Sequence, residues 1–280
     1  MAHALGVSES SIKRWVDDGT IRSARTAGGH RRIPRVDALR FVRATRASVV
    51  HPEILGLAAV VDQRSVAVAD GAEVFADLLM RGAGLQARGL LEAWYLGGES
   101  LAAIIDGPLR SALDRIGELW HADRADGIFL EHRALQICVL ALSQLSLLVP
   151  VAAGAPVAVG GAAAGDPYLL PSMAAALVLA GEGFATVDLG ADVPEESLTA
   201  AMTRLAPRLV WLSVSAVGDG RVEQHVGRLV AAAAARDAQV MIGGRAVAAL
   251  SLRPAAHLHL GGSMAELAAF ARGLQAGAAS

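Results

Sequence analysis

Beyond about residue 155 of this 280-residue chain, five short apolar runs alternate with helical patterns, and that alternation leaves few architectures open. The runs are Pro156–Gly161, Ala185–Leu189, Leu209–Val214, Gln239–Ile242 and His257–Leu260. Apolar spacing of three and four predicts helices over Ser172–Ala180, Pro194–Leu205, Val222–Ala235 and Met264–Leu274. A strand-helix alternation repeated five times predicts a parallel, doubly wound sheet with its ligands at the strand C-termini. Gly160-Gly161, Gly190, Gly243-Gly244 and Gly261-Gly262 end the strands and leave room there for close backbone approach.

Between about 50 and 149 the period is helical throughout. Val74–Met80, Leu85–Leu96, Leu101–Trp120 and Ile128–Leu148 are separated by short Gly-containing turns, which predicts antiparallel neighbours and a small bundle. Ala134 to Gly165 holds no Asp, Glu, Lys or Arg, a length that raises the question of a membrane span. Gln136, Ser143, Gln144, Ser146, Pro150 and Pro156 favour a buried helix running into a loop and a buried strand. No cationic segment precedes an apolar one at the N-terminus, so no secretory signal is expected, and the reading is a cytoplasmic protein without a membrane partner. With 54% hydrophobic and 19% charged residues, wholesale disorder is excluded. Cys138 is the single cysteine, which excludes a disulfide framework or a Cys-rich zinc site.

The net charge of −2 conceals two opposed segments. Residues 1–47 carry ten basic and four acidic side chains, a balance of +6; the remainder carries 15 and 23, a balance of −8. The basic segment reads as two short helices, a hairpin and a third helix. Ser8 is a natural N-cap with Glu9 behind it, Ile12, Trp15 and Val16 share a buried face, and Gly19 ends the helix. Ile21–Ala24 and His30–Ile33 read as strands around Thr26-Ala27-Gly28-Gly29, and a helix follows over Val36–Arg46. Ser10, Ser11, Lys13 and Arg14 on one helix face suit base edges and phosphates in a major groove. Arg25, His30, Arg31 and Arg32, on a hairpin turned by Gly28 and Gly29, suit the adjacent backbone as a wing. A solvated basic domain is the plainer alternative. The acidic remainder repels phosphate, which confines DNA contact to the first 47 residues.

The run Val7-Ser8-Glu9-Ser10-Ser11-Ile12-Lys13-Arg14-Trp15, followed by Arg25-Thr26-Ala27-Gly28-Gly29-His30-Arg31-Arg32-Ile33, resembles the MerR and excisionase-like winged helix-turn-helix family. The resemblance implies double-stranded DNA as a partner. It also implies a chain start a few residues upstream, because the first helix is short for that family.

Gly117-Glu118-Leu119-Trp120 followed by Glu131-His132-Arg133-Ala134 resembles the helical cap of cobalamin-binding modules. There a Trp and a Glu-His pair cover the upper corrin face, and in light-sensing MerR-type members the cap shields the adenosyl group. Ten residues separate Trp120 from Glu131 where that family has nine, which places an insertion near Asp123–Gly127. The rest of the chain resembles the cobalamin-binding Rossmann-like, flavodoxin-like fold through Gly165-Asp166, Gly190-Ala191-Asp192-Val193-Pro194, Ser213-Val214-Ser215 and Gly243-Gly244. The implied organisation is a winged helix-turn-helix over 1–47, a four-helix-bundle cap over 48–150 and the sheet domain over 151–280. One position departs from the pattern. Where family members carry Asp-x-His-x-x-Gly, with the His on cobalt and the Gly admitting the nucleotide tail, this chain has Asp166-Pro167-Tyr168-Leu169-Leu170-Pro171. A neutral phenol is a poor substitute for imidazole at a soft metal centre.

Three expectations follow for the pocket. It holds another flat, extended ligand, a linear tetrapyrrole of the biliverdin type; or cobalamin such as adenosylcobalamin, with His132 as its protein ligand; or nothing, the domain serving assembly. A bilin is preferred, since it needs no axial ligand. Trp120, His121, Glu131, His132, Asp166, Tyr168, Ser213, Ser215, Gly243 and Gly244 are the expected chromophore contacts. Cys138 lies seven residues beyond Glu131 and is a conceivable thioether attachment point, with an inert buried cysteine as the alternative. His257 and His259 receive no role. By resemblance, ligand photochemistry changes oligomeric state, dimer or tetramer, and so the number of basic modules meeting DNA together. The competing readings are a ligand-independent regulator or antirepressor and a corrinoid methyl-carrier module. The missing His and the attached basic module argue against the last, and no enzymatic activity is expected.

Overall fold

The computed structural model describes residues 1–58, 66–122, 124–216 and 221–277, with the side chains of 119–122, 124, 125 and 221 outside the description. The chain divides into two compact units, Met1–Pro150 and Val151–Ser280.

The first unit begins with α1 (Ala2–Leu5) and α2 (Glu9–Asp17). Ser8 caps α2 through its Oγ, which accepts from the amide of Ser11 at 3.2 Å. Trp15 of α2 packs on Phe41 of α3 (Arg35–Thr45), ring centroids 4.9 Å apart. Ile12, Trp15 and Val16 are half-buried. The hairpin is shorter than expected: β1 is Ala24–Arg25 and β2 is Arg31–Arg32, paired antiparallel. All four residues are exposed, so the ladder has no apolar face to extend it. Ile21, expected in the first strand, is instead buried in the core.

The helices α4 (Gly71–Met80), α5 (Gly84–Leu96), α6 (Leu101–Ile104), α7 (Arg110–Ala122) and α8 (Arg124–Ser146) follow. The single helix expected over 101–120 is interrupted by a π-helical turn, Ile105–Leu109, that holds Pro108. A proline inside a helix lacks the N–H and crowds the preceding turn, and the wider π turn accommodates both. Phe75, Leu79, Leu90, Leu91, Ile116, Leu142 and Leu145 fill the core where α4, α5, α7 and α8 meet. Gly71 admits Trp94, whose indole would lie 2.3 Å from a Cβ there.

The helix expected to be buried in the charge-free stretch is α8, and it is buried along one face only. Ala134, Cys138, Ala141, Leu142 and Leu145 are buried, but Phe129 and Leu140 are 57% and 65% exposed on its outer face, and Leu147 just past its end is 66% exposed. By length and composition residues 126–146 could cross a membrane; the helix packs against α5 and α7.

The second unit runs β3 (Val157–Ala162), α9 (Leu169–Gly181), β4 (Ala185–Asp188), α10 (Glu195–Leu205), β5 (Leu209–Ser213), α11 (Arg221–Ala234), β6 (Gln239–Gly243), β7 (Leu258–Gly261) and α12 (Met264–Gly277). All five strands are parallel in the order β4-β3-β5-β6-β7. This is the flavodoxin-like, doubly wound order, and the chain changes direction across the sheet between β3 and β5. Val159, Val210, Leu212, Val214, Val240 and Ile242 form one inner face against Leu198, Met202, Val226 and Leu229 of α10 and α11. Trp211 points to the opposite face, where α9 packs.

Candidate functional site

An open α/β sheet binds ligands at the C-terminal ends of the strands flanking its switch point. Here those are the ends of β3 and β5, with β6 beside them. Three loops are tied together there by a closed circuit of contacts. Asp166, 1% exposed, accepts from the amide of Tyr168 through Oδ1 at 3.0 Å and from the amide of Ser215 through Oδ2. The carbonyl of Ser215 accepts from Nε of Arg245 at 2.9 Å. The guanidinium of Arg245 lies over the ring of Tyr168, 4.6 Å from its centroid, which closes the circuit. Gly244 lets the β6 loop reach this position: its φ is +118°, and a Cβ would lie 2.3 Å from the carbonyl oxygen of Val214.

Beneath the rim the sheet is filled. The indole of Trp211 lies against Gly160, where a Cβ would come within 2.3 Å of it. Its Nε1 donates to Oγ of Ser172 at 3.0 Å, and that hydroxyl donates to Oδ1 of Asp188 at 2.7 Å. Burial pushes the Asp188 carboxyl up, against the opposing hydrogen bonds from Ser172 and the Gly190 amide. Ser213 ends β5 with its Oγ buried and, among the described residues, without a hydrogen-bond partner.

Of the residues expected at a chromophore, Asp166, Tyr168, Ser213, Ser215, Gly243 and Gly244 come together at these strand ends. Asp166 takes a structural place: both carboxylate oxygens are occupied by backbone amides. In the first unit, Glu131 is half-buried and His132 exposed on α8. Trp120 and His121 belong to α7, but their side chains lie outside the described residues. Residues 124–127 are helical, so the extra residue between Trp120 and Glu131 is not a loop there; Asp123 lies outside the description. Thioether attachment at Cys138 is corrected: the side chain is fully buried, and desolvation pushes the thiol up to about 12, far from the thiolate such chemistry uses.

Sequence reasoning missed Arg245 and Trp211. For Arg245 the signal was present, a cation directly after a glycine-ended strand. For Trp211 there was none, since an apolar residue in a central strand is ordinary.

The basic surface is built on α2 and the hairpin. Lys13, Arg14, Arg25, His30, Arg31 and Arg32 are exposed. The turn between the strands is fixed by Thr26, whose Oγ1 accepts from the His30 amide at 3.2 Å, with Gly29 at φ +78° and Gly28 preceding it. The hydroxyls of Ser10 and Ser11 lie 2.7 and 3.0 Å from Oγ of Ser8, so both are engaged at the cap. Arg31 pairs with Asp17. Part of the +6 segment faces inward. Arg43 stacks over Tyr95 at 4.0 Å and donates to the carbonyls of Tyr95 and Glu99, and Arg35 donates to the carbonyl of Leu55 at 2.6 Å. Arg43 fastens α3 to α5, and Arg35 ties it to the turn at Pro52–Leu55.

Residues 1–46 match the family described as helix-turn-helix domain. No curated protein matches the chain. Among solved structures, the monomethylamine corrinoid protein of Methanosarcina barkeri is similar at a TM-score of 0.52 and 19% identity, over 72% of this chain and 96% of that one. The methanol:cobalamin methyltransferase complex MtaBC of the same organism aligns at 0.37 and 16% identity, over 96% and 93%. A novel cobalamin-binding protein from Desulfitobacterium hafniense DCB-2 aligns at 0.36 and 18%, over 76% and 98%. These last two likenesses are too loose to bear on the fold. The chain therefore joins a helix-turn-helix domain to a fold shared with a corrinoid protein.

The residues at the switch point do not fit a corrin coordinated from this unit. Tyr168 supplies a phenol where an imidazole would be needed, and the Arg245 guanidinium lies over one face of its ring. Pro171 occupies the first turn of α9, and Trp211 packs against Gly160 and donates to Ser172 of the same helix. Among the described residues no group of three or more His, Cys, Asp or Glu side chains is placed to hold a metal.

Proposed function

We propose that this chain is a cytoplasmic, DNA-binding transcription regulator of MerR type. In this reading α2 and the β1–β2 wing engage double-stranded DNA through Lys13, Arg14, Arg25, Arg31 and Arg32. The second unit is a sensor for a tetrapyrrole, a bilin of the biliverdin type, with light as the input and oligomeric state as the output. The chain carries out no catalytic step of its own. The observation that carries the sensor reading is Tyr168 beneath Arg245, an aromatic and cationic rim at the switch point of a corrinoid-protein fold, in place of a metal-ligating imidazole. A bilin needs a flat contact and a charge partner, not an axial donor. The apolar outer face of α8, with Phe129 and Leu140 exposed and Leu147 just beyond its end, supports self-association.

Trp211 favours a second reading, a ligand-independent regulator or antirepressor, because its side chain fills the sheet below the rim. The two separate in one experiment. The protein is purified from cells supplied with biliverdin and, separately, with adenosylcobalamin, and its absorption is recorded before and after illumination. The bilin reading expects a bound chromophore only in the first preparation. A colourless protein in both favours the second reading. A cobalamin spectrum abolished by His132→Ala overturns the preference for a bilin.

A further inference from the structure

Arg245 is fixed on two sides and open on the third. Its Nε is held by the carbonyl of Ser215, and one face of its guanidinium rests on Tyr168. Among the described residues, neither Nη group donates to a protein acceptor. A guanidinium anchored in this way presents its remaining edge as a fork with the spacing of a carboxylate, and little side-chain freedom is left to lose on binding.

Among the described residues, no carboxylate pairs with that fork. Asp166 is the carboxylate nearest in the circuit, and both of its oxygens are occupied by backbone amides. The adjoining strand end adds an independent sign of a ligand. Ser213 pairs in register with Gly243, two residues before Arg245; the residue is 95% buried, and its hydroxyl has no hydrogen-bond partner among the described residues. A buried hydroxyl without an acceptor among the described residues, on the strand end that adjoins the one leading to Arg245, suits a polar ligand group.

We propose that Arg245 is a carboxylate-binding residue and that the ligand of this crevice carries an anionic side chain which pairs with its two Nη groups. This rests on the tetrapyrrole reading and narrows it. A bilin carries propionate carboxylates, whereas the corresponding side chains of cobalamin are amides. Tyr168 acts as the platform that holds the guanidinium in place.

The test is an absorption titration of the full chain with biliverdin and with its dimethyl ester, for the wild type, Arg245→Gln and Arg245→Lys. The wild type binds biliverdin more tightly than the ester. Arg245→Gln weakens biliverdin by about 10- to 100-fold and leaves the ester unchanged, and Arg245→Lys restores part of the loss. Equal affinity of the wild type and Arg245→Gln for biliverdin overturns the proposal and leaves the tetrapyrrole reading standing. So does equal affinity of the wild type for diacid and ester, a comparison that needs no variant to fold. Failure of the wild type to bind either compound removes the tetrapyrrole reading, and this proposal with it.

Discussion

The guanidinium of Arg245 and the ring of Tyr168 meet 4.6 Å apart across the ends of β6 and β3, and Asp166 fastens the loop that carries Tyr168 to the loop that receives Arg245. Asp166 is thus the hub of the rim. Replacing it with Ala leaves the amides of Tyr168 and Ser215 without their acceptor at a buried position. The expected loss is about 2–4 kcal/mol in chemical denaturation. Asp166→Asn loses less, since one oxygen still accepts. An unchanged midpoint for Asp166→Ala would refute the structural place given to this carboxylate.

Arginines of the N-terminal segment divide by direction. Replacing Arg31 and Arg32 with Gln weakens DNA binding across sequences and lowers the dependence of log affinity on log salt by about 0.9 for each phosphate the protein no longer neutralises. Arg43→Ala behaves differently. It removes the stack on Tyr95 and the bonds to two carbonyls, so the first unit loses about 1–3 kcal/mol while the salt slope stays at its wild-type value. A changed slope for Arg43→Ala would place that side chain on DNA.

His225 in α11 makes the second unit sensitive to acid. It is 5% exposed, its Nε2 has no hydrogen-bond partner among the described residues, and it faces Glu195, Glu196 and Arg228. Burial lowers its folded-state value below the ordinary 6.5, against the pull of the two glutamates. The unfolded chain therefore takes up a proton first. Stability is complete above about 6.5 and falls as the pH drops toward the lowered folded value. Melting temperatures measured between about pH 8 and about pH 5 decline for the wild type and decline less for His225→Gln. Identical slopes would contradict this.

The parallel sheet, the bundle and the helix-turn-helix were legible because each depends on apolar period and turn residues, which are local. Ser8 as a cap and Gly244 as a close approach are of that kind. What escaped was decided by tertiary contact. Nothing in the run Leu209–Val214 shows that Trp211 turns toward Ser172 and fills the floor of the crevice. Nothing near Arg43 shows that it faces Tyr95 and not solvent, so a charge balance counted along the chain overstates the basic surface. The length of the hairpin was overestimated for a related reason, since four exposed residues give a strand no face to bury. Pro108 was visible in sequence, yet the helix continues past it through a π turn and does not end there.

The central claim joins a sensor to a DNA-binding domain, and one measurement addresses both. Protein purified in the dark from biliverdin-supplied cells is titrated against duplex DNA carrying its own promoter region, before and after illumination of the same sample. The account predicts a bound chromophore and a DNA affinity that changes by about tenfold or more as the oligomeric state changes. A chromophore-bearing protein whose DNA affinity and oligomeric state are the same in the dark and in the light would contradict it.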